Sequence, residues 1–371
     1  MFPRSNERRL TASQRAELVR RSEARFRYAL AHDAIDAAER LQRAYRGVLK
    51  ATDTRLKEVK GDRLLTPAGT QRLVDGIRAE LDGLTAEIEA QARRLQDGAI
   101  KTGLAMGAEA LDTAGVLFGR PAVESVQALV NYVDSSAFQQ RLQQYGDTYA
   151  NEVADTILAM AAQGKDPAKI ARAVTRLMRG QPLNDAQRMV RTVQLYAARR
   201  GQQAIFQKNS DVVLGWVWSS ARDKRTCFGC LAKHGSKHPI TEVLNDHHLG
   251  RCAMVPMTPS WADLGFEDGT DLPVIETGEA WFRAQPEAEQ RQQMGPALWM
   301  AYRDGAFTFD QLAQPYQNDV YGEMIGEASL TELIGEAAAR EYVRQARTAT
   351  VVSRPTISTP SQPAYVTVKV Q

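Results

Sequence analysis

Cysteine and histidine bind zinc as thiolate and imidazole, and this chain gathers them in one place. All three cysteines, Cys227, Cys230 and Cys252, fall between Trp216 and Pro259. So do four of the five histidines: His234, His238, His247 and His248. That stretch is less than an eighth of the chain. Cys227 and Cys230 form a Cys-x-x-Cys knuckle that turns two sulfurs toward one ion. Cys252 returns after an insert, with His248 and His247 four and five residues before it. Three cysteines and one histidine supply the four tetrahedral ligands of a closed structural site, with no position left for a catalytic water. The spacing leaves His247 and His248 as alternatives. His234 and His238 are expected on the surface of the insert, because four ligands are available without them.

Other chemistries fit less well. A thioredoxin-like pair belongs in a βαβ context, and no such pattern surrounds Cys227. Three thiols are an odd number for disulfides, and the polar Met1–Leu10 stretch has no secretion signal. A reducing, cytosolic setting is therefore expected. Cys-x-x-Cys followed by Asp246-His247-His248 also suggests an HNH-like nuclease. Such an enzyme needs a second cluster and further histidines, and none follows His248. No P-loop, Gly-x-Ser-x-Gly or His-Glu-x-x-His pattern is present.

The wider pattern resembles a known family. Trp218, Asp223, Arg225-Thr226-Cys227, Cys230, His247, Arg251-Cys252 and Val255-Pro256 are similar in order and spacing to the phage Mu F-like minor head proteins. These are the phage head morphogenesis proteins. Gly250 stands where many members have the first cysteine of Cys-Arg-Cys. Arg191-Thr192-Val193 lacks the glutamate of the family's Arg-Thr-Glu. The resemblance covers residues 140–335 and implies metal ligands at Cys227, Cys230, His247 and Cys252, with His248 as the alternative histidine. It further implies a structural Zn2+ and a non-enzymatic minor capsid protein of a tailed phage. Such a protein binds the portal protein or the major capsid protein. It resides in the virion, in the head interior or at the portal vertex, and in host cytoplasm during assembly. Non-specific contact with packaged DNA is compatible with that role. A non-specific DNA-binding protein, like the HNH-like nuclease, is the alternative function.

The chain has 371 residues, of which 43 % are hydrophobic and 25 % charged. These are the proportions of a globular protein with a sizeable core. The net charge of +3 hides a gradient. Residues 1–60 hold 15 Lys/Arg against 8 Asp/Glu, whereas residues 261–340 hold 4 against 15. Such asymmetry suggests different partners at the two ends. No window is apolar enough for a transmembrane helix, so no membrane partner is expected.

The elements that must carry the cluster are mostly helices. Phe26, Leu30, Ala34, Ala37, Leu41, Tyr45 and Val48 recur at helical spacing over 13–60. The opposite face, with Arg25, Arg40, Arg43 and Arg46, is expected to be solvated. Thr66-Pro67 is a cap and first-turn signal, followed by Leu73, Ile77, Leu81, Leu84, Ile88 and Leu95. The two helices are expected to pair as an antiparallel hairpin. Glycines 98, 103 and 107 predict a connector with short helices over 98–132. Phe138 to Met160 is helical. Asp166-Pro167 opens a short helix ending near 180, and Asn184 caps another through Lys208. Val212–Ser219 reads as a strand. Glu279–Arg303 reads as one helix, and Ser329-x-x-Glu332 as the capping box of a last helix through Ala346. Residues 347–371 are expected as an extended tail, in which Tyr365–Val370 alternates like an edge strand.

The fold class expected is mainly α, with long N-terminal helices and a small zinc-stapled β-containing module at about 212–259. A helical C-terminal part and extended tail complete it. The expected domains are a long-helix region over 1–132, a head-morphogenesis-like domain over 133–335, and the last helix end with tail over 336–371.

Overall fold

Two long amphipathic helices set the frame on which the cysteines are mounted. The computed structural model describes residues 11–58, 66–179, 181–248, 250–260, 275–318 and 322–352. The protein is mainly helical with small antiparallel sheets. Helix α1 spans Ala12–Glu58 and α2 spans Pro67–Ala114. They pair antiparallel, as the periodicity predicts. Arg55 meets Glu80 at 2.9 Å near the closed end, and Arg25 pairs with Glu109 near the open end. Thr66 caps α2, its hydroxyl accepting from Gly69 N at 3.1 Å.

Helix α3 (Val123–Leu129) leads to α4 (Ser136–Ala162), α5 (Pro167–Leu177) and α6 (Gln181–Lys208). Leu41, Ile77, Leu81, Leu84 and Ile88 are almost fully buried, together with Phe138, Ile157, Val174 and Val193 from the later helices. Each such side chain contributes roughly 1.5–3 kcal/mol on removal from water. Asn184 does not cap α6, which begins three residues earlier.

The connector expected at 98–132 is instead largely helix, because α2 continues to Ala114. Two of its glycines, Gly103 and Gly107, serve packing. A Cβ at Gly103 would collide with the Ala198 carbonyl, and one at Gly201 would lie 2.6 Å from the Ile100 carbonyl oxygen. Small residues let α2 and α6 meet backbone to backbone.

Strand β1 (Gly215–Ser219) is the centre of a three-stranded antiparallel sheet, between β2 (Lys237–His238) and β3 (Ala253–Met257). Trp216 lies opposite both His238 and Pro256. Helix α7 (Phe228–Lys233) follows the knuckle.

The single helix expected at 279–303 is three: α8 (Gly278–Arg283), α9 (Glu287–Met294) and α10 (Pro296–Arg303). Pro286 and the Gly295-Pro296 pair interrupt it, with Gly295 at φ 83°. A hairpin that the sequence pattern does not announce, β4 (Ala313–Asn318) with β5 (Gly322–Glu327), comes next. The capping box at Ser329 and Glu332 is real but opens only α11 (Leu330–Ile334). Gly335 at φ 80° breaks the chain before α12 (Glu336–Val352). Residues 347–352, expected as tail, are therefore helical. The remaining tail, with Tyr365–Val370, lies outside the described residues. Among those described, no helix is long and apolar enough to cross a membrane.

Candidate metal centre

The knuckle forms because Cys227 itself caps α7: its sulfur accepts from Cys230 N at 3.3 Å. That turn places both sulfurs on one side of the short helix. Gly229 between them is required by space. A Cβ there would strike the Gly326 carbonyl of β5.

Donor atoms of Cys227, Cys230 and His247 lie within 4.8 Å of one another. So do those of Cys230, Asp246 and Cys252. The two sets share Cys230, so all three cysteines, His247 and Asp246 are close enough to hold a metal ion. His248 is not in either set. Its Nδ1 is 3.4 Å from Thr192 Oγ1, and its Nε2 is 3.2 Å from Asn318 Nδ2 on the hairpin. Adjacent histidines thus point different ways, one to the sulfurs and one to α6 and β4.

The protonation pattern follows from this packing. Hydrogen bonds from Cys230 and then His247 pull the Cys227 thiol down to about 5. Its thiolate in turn raises His247 to about 9. Cys230 is pushed well above the usual thiol range by its bonds to the Cys227 and Cys252 sulfurs and by burial. These shifts favour a thiolate at Cys227 facing a charged imidazole at His247. The His247 Nδ1 lies 2.7 Å from the His248 carbonyl oxygen. A carbonyl only accepts, so Nδ1 carries hydrogen; Nε2, protonated while His247 is charged beside the Cys227 thiolate, gives up its proton before it can bind a metal. The donor set fits a soft tetrahedral cation.

A buried polar frame holds the ligand loop, and little of it is marked in the sequence pattern. Asp246 is fully buried and paired with Arg199 of α6 at 2.7 Å. Its Oδ2 also accepts from Cys252 N at 3.3 Å. Arg199 Nη2 donates further to the carbonyls of Gly250 at 3.1 Å and Cys252 at 3.4 Å. A Cβ at Gly250 would run into the Asp246 carboxylate, so glycine there is what lets the carboxylate stand behind the sulfurs. Asp246 has a signal, its place beside His247; Arg199 has none, being 47 positions away.

A second clamp closes the other side. Arg251 holds Asp223 through two bonds of 2.6 Å. Asp223 also accepts from Arg225 N at 2.9 Å and from the Thr226 hydroxyl at 3.1 Å. The guanidinium holds the Asp223 carboxyl well below the usual carboxylate range. This pair ties the residues before Cys227 to the residue before Cys252. Arg27 of α1 then fixes the Arg251 carbonyl at 3.0 Å.

His234 and His238 are not surface residues. His234 is 2 % exposed, and its Nδ1 accepts from Ser220 N at 2.9 Å. Burial, with the charges of Arg222 and Arg27, lowers it to about 4, so it is neutral. His238 stacks on Trp216 with centroids 4.2 Å apart. Both pack the module and neither reaches the sulfurs.

The β4–β5 hairpin covers the site. Ile325 N bonds the Asn245 carbonyl at 3.1 Å, and Glu327 accepts from Phe228 N at 2.9 Å. Compared with family models, with curated proteins and with solved structures, the chain matches none.

Proposed function

We propose that this chain is a structural protein of the phage Mu F-like minor head type, without enzymatic activity. Cys227, Cys230, His247 and Cys252 would hold one structural zinc ion. The observation that carries the reading is the chemistry of the donor set. Cys227, Cys230 and His247 lie together, Cys252 joins Cys230 from the other side with Asp246, and the neighbouring polar groups hold these residues in place. Bound zinc would supply cross-linking and folding energy, on the order of 10 kcal/mol or more for a small module. The chain's own residues do the rest: Arg199 fixes the 246–252 loop, Asp223 and Arg251 close the knuckle, and His248 supports the His247 tautomer through its carbonyl.

The family part of the reading is supported by residues outside the ligands. Asp223 and Arg251 belong to the pattern that resembles the family, and they are ion-paired beside the site. On this reading the protein docks to the portal protein or the major capsid protein. It assembles in host cytoplasm and ends in the virion, in the head interior or at the portal vertex, where it meets packaged DNA.

Purified protein should carry about one zinc per chain, as a single closed site requires. Cys227→Ser should lose it and expose residues 220–260 to protease. A variant that keeps both metal and protease resistance sinks the staple. Co-purification with the portal protein tests the assembly role. No complex, together with absence from purified particles, would end it.

A further inference from the structure

Helix α5 presents a row of cations that no other part of the described structure neutralises. Lys169, Arg172 and Arg176 lie along α5, with Arg179 one turn on and Lys165 one turn before. The intervals are four, three, four and three; Lys169, Arg172 and Arg176 share one face of α5, and Lys165 and Arg179 flank its two ends. All five side chains are exposed. None makes a side-chain hydrogen bond or ion pair among the described residues. Between Asp166 and Asp185 the chain has no acidic residue, and Asp166 is engaged in capping α5 at Ala168 N, 2.6 Å away.

Several exposed cations on other helices are paired with an acid one turn away, although Arg40, Arg46 and Lys50 on α1 are not. Arg20 and Arg21 share Glu17. Arg93 has Glu89 and Asp134. Arg283 has Glu279, Arg340 has Glu336, and Arg344 has Glu341. The row on α5 also does not serve its own helix. Cations favour the C-terminal end of the macrodipole, which suits Arg176 and Arg179, but Lys165 and Lys169 sit at the end where cations are disfavoured.

We infer that the α5 face binds the phosphate backbone of a nucleic acid. Cations three and four positions apart on a helix stand about 5–6 Å from one another, close to the spacing of successive phosphates along a strand. From Lys169 to Arg176 the row runs about 11 Å at 1.5 Å per residue, enough for two or three phosphates, with Lys165 and Arg179 extending it at either end. Recognition would be of charge rather than sequence, since the outward face carries no aromatic or amide side chain for base edges. A lipid surface fits less well. The apolar side of α5, Ile170, Ala171, Val174 and Met178, is buried in the helical core and cannot enter a bilayer. The inference does not rest on the zinc site or on the head-protein reading.

The test uses full-length protein and a fluorescent 30-base-pair duplex, with anisotropy measured across a salt series. The wild type should bind, with affinity falling steeply as salt rises. Lys169→Gln/Arg172→Gln/Arg176→Gln/Arg179→Gln should flatten the slope of log affinity against log salt by about 3 to 4, since each phosphate neutralised by a cation adds about 0.9 to that slope. Arg340→Gln/Arg344→Gln, which removes paired cations on α12, should leave the slope unchanged. Circular dichroism checks that both variants fold. An α5 variant with the wild-type slope, or a wild type that does not bind, would overturn the inference. So would an equal weakening in the α12 control, or tighter binding to phosphatidylserine vesicles than to DNA.

Discussion

The helical frame and the Cys/His module are built by opposite means. In the frame, stability comes from many interchangeable aliphatic contacts: Leu41, Ile77, Leu81, Leu84 and Ile88 are each about 1 % exposed or less. In the module, strands of five residues or fewer and a six-residue helix enclose three thiols, an imidazole and a buried Asp246–Arg199 pair. A frame of that kind loses stability by degrees. A module of the second kind depends on a few groups that have no substitute. The comparison teaches where single changes should be severe.

The largest effect should follow from breaking the buried ion pair. Arg199→Ala leaves Asp246 charged and uncompensated, and should cost about 3–5 kcal/mol in denaturant titrations, with zinc affinity reduced. Arg199→Met combined with Asp246→Leu should recover part of that loss. Equal stability of Arg199→Ala and wild type would show that the pair is not what seats the loop. On the frame side, Ile88→Ala should cost about 2–5 kcal/mol through reduced burial and a residual cavity, while zinc content stays at the wild-type level. Zinc loss in that variant would blur the division between the two regions. The smallest change is Thr66→Ala, which removes the α2 cap and should cost about 1 kcal/mol. A melting temperature that does not move would mean the α2 start is fixed by packing alone.

The same contrast explains what the sequence discloses. The frame is readable because its stripes repeat every three or four residues over tens of residues, and α1 and α2 pair as that spacing predicts. The pattern misleads at Gly103 and Gly107, where residues that weaken an isolated helix instead admit α6 at close range, and at Gly98, which the helix simply tolerates. The cysteines and histidines are legible as a cluster because their types are rare in this chain. The choice between His247 and His248 is not, because one residue of loop geometry decides it. Arg199 and Glu327 are invisible for another reason. Each acts on the ligands from a distant part of the chain, where nothing in the local pattern marks them. The short β4–β5 hairpin, with Gln, Asn and Pro among its residues, lacks the alternation that would announce a strand.

The cover over the cysteines has a consequence for how the protein is made. Phe228 and Glu327 touch across 99 positions of chain. At synthesis rates of about 5–20 residues per second, the knuckle leaves the ribosome roughly 5–20 seconds before the strand that closes over it. All the sulfur and imidazole donors are made well within that interval. If the proposed ion is bound, its capture can therefore precede the docking of the hairpin, while the knuckle and its loop are still open on that side.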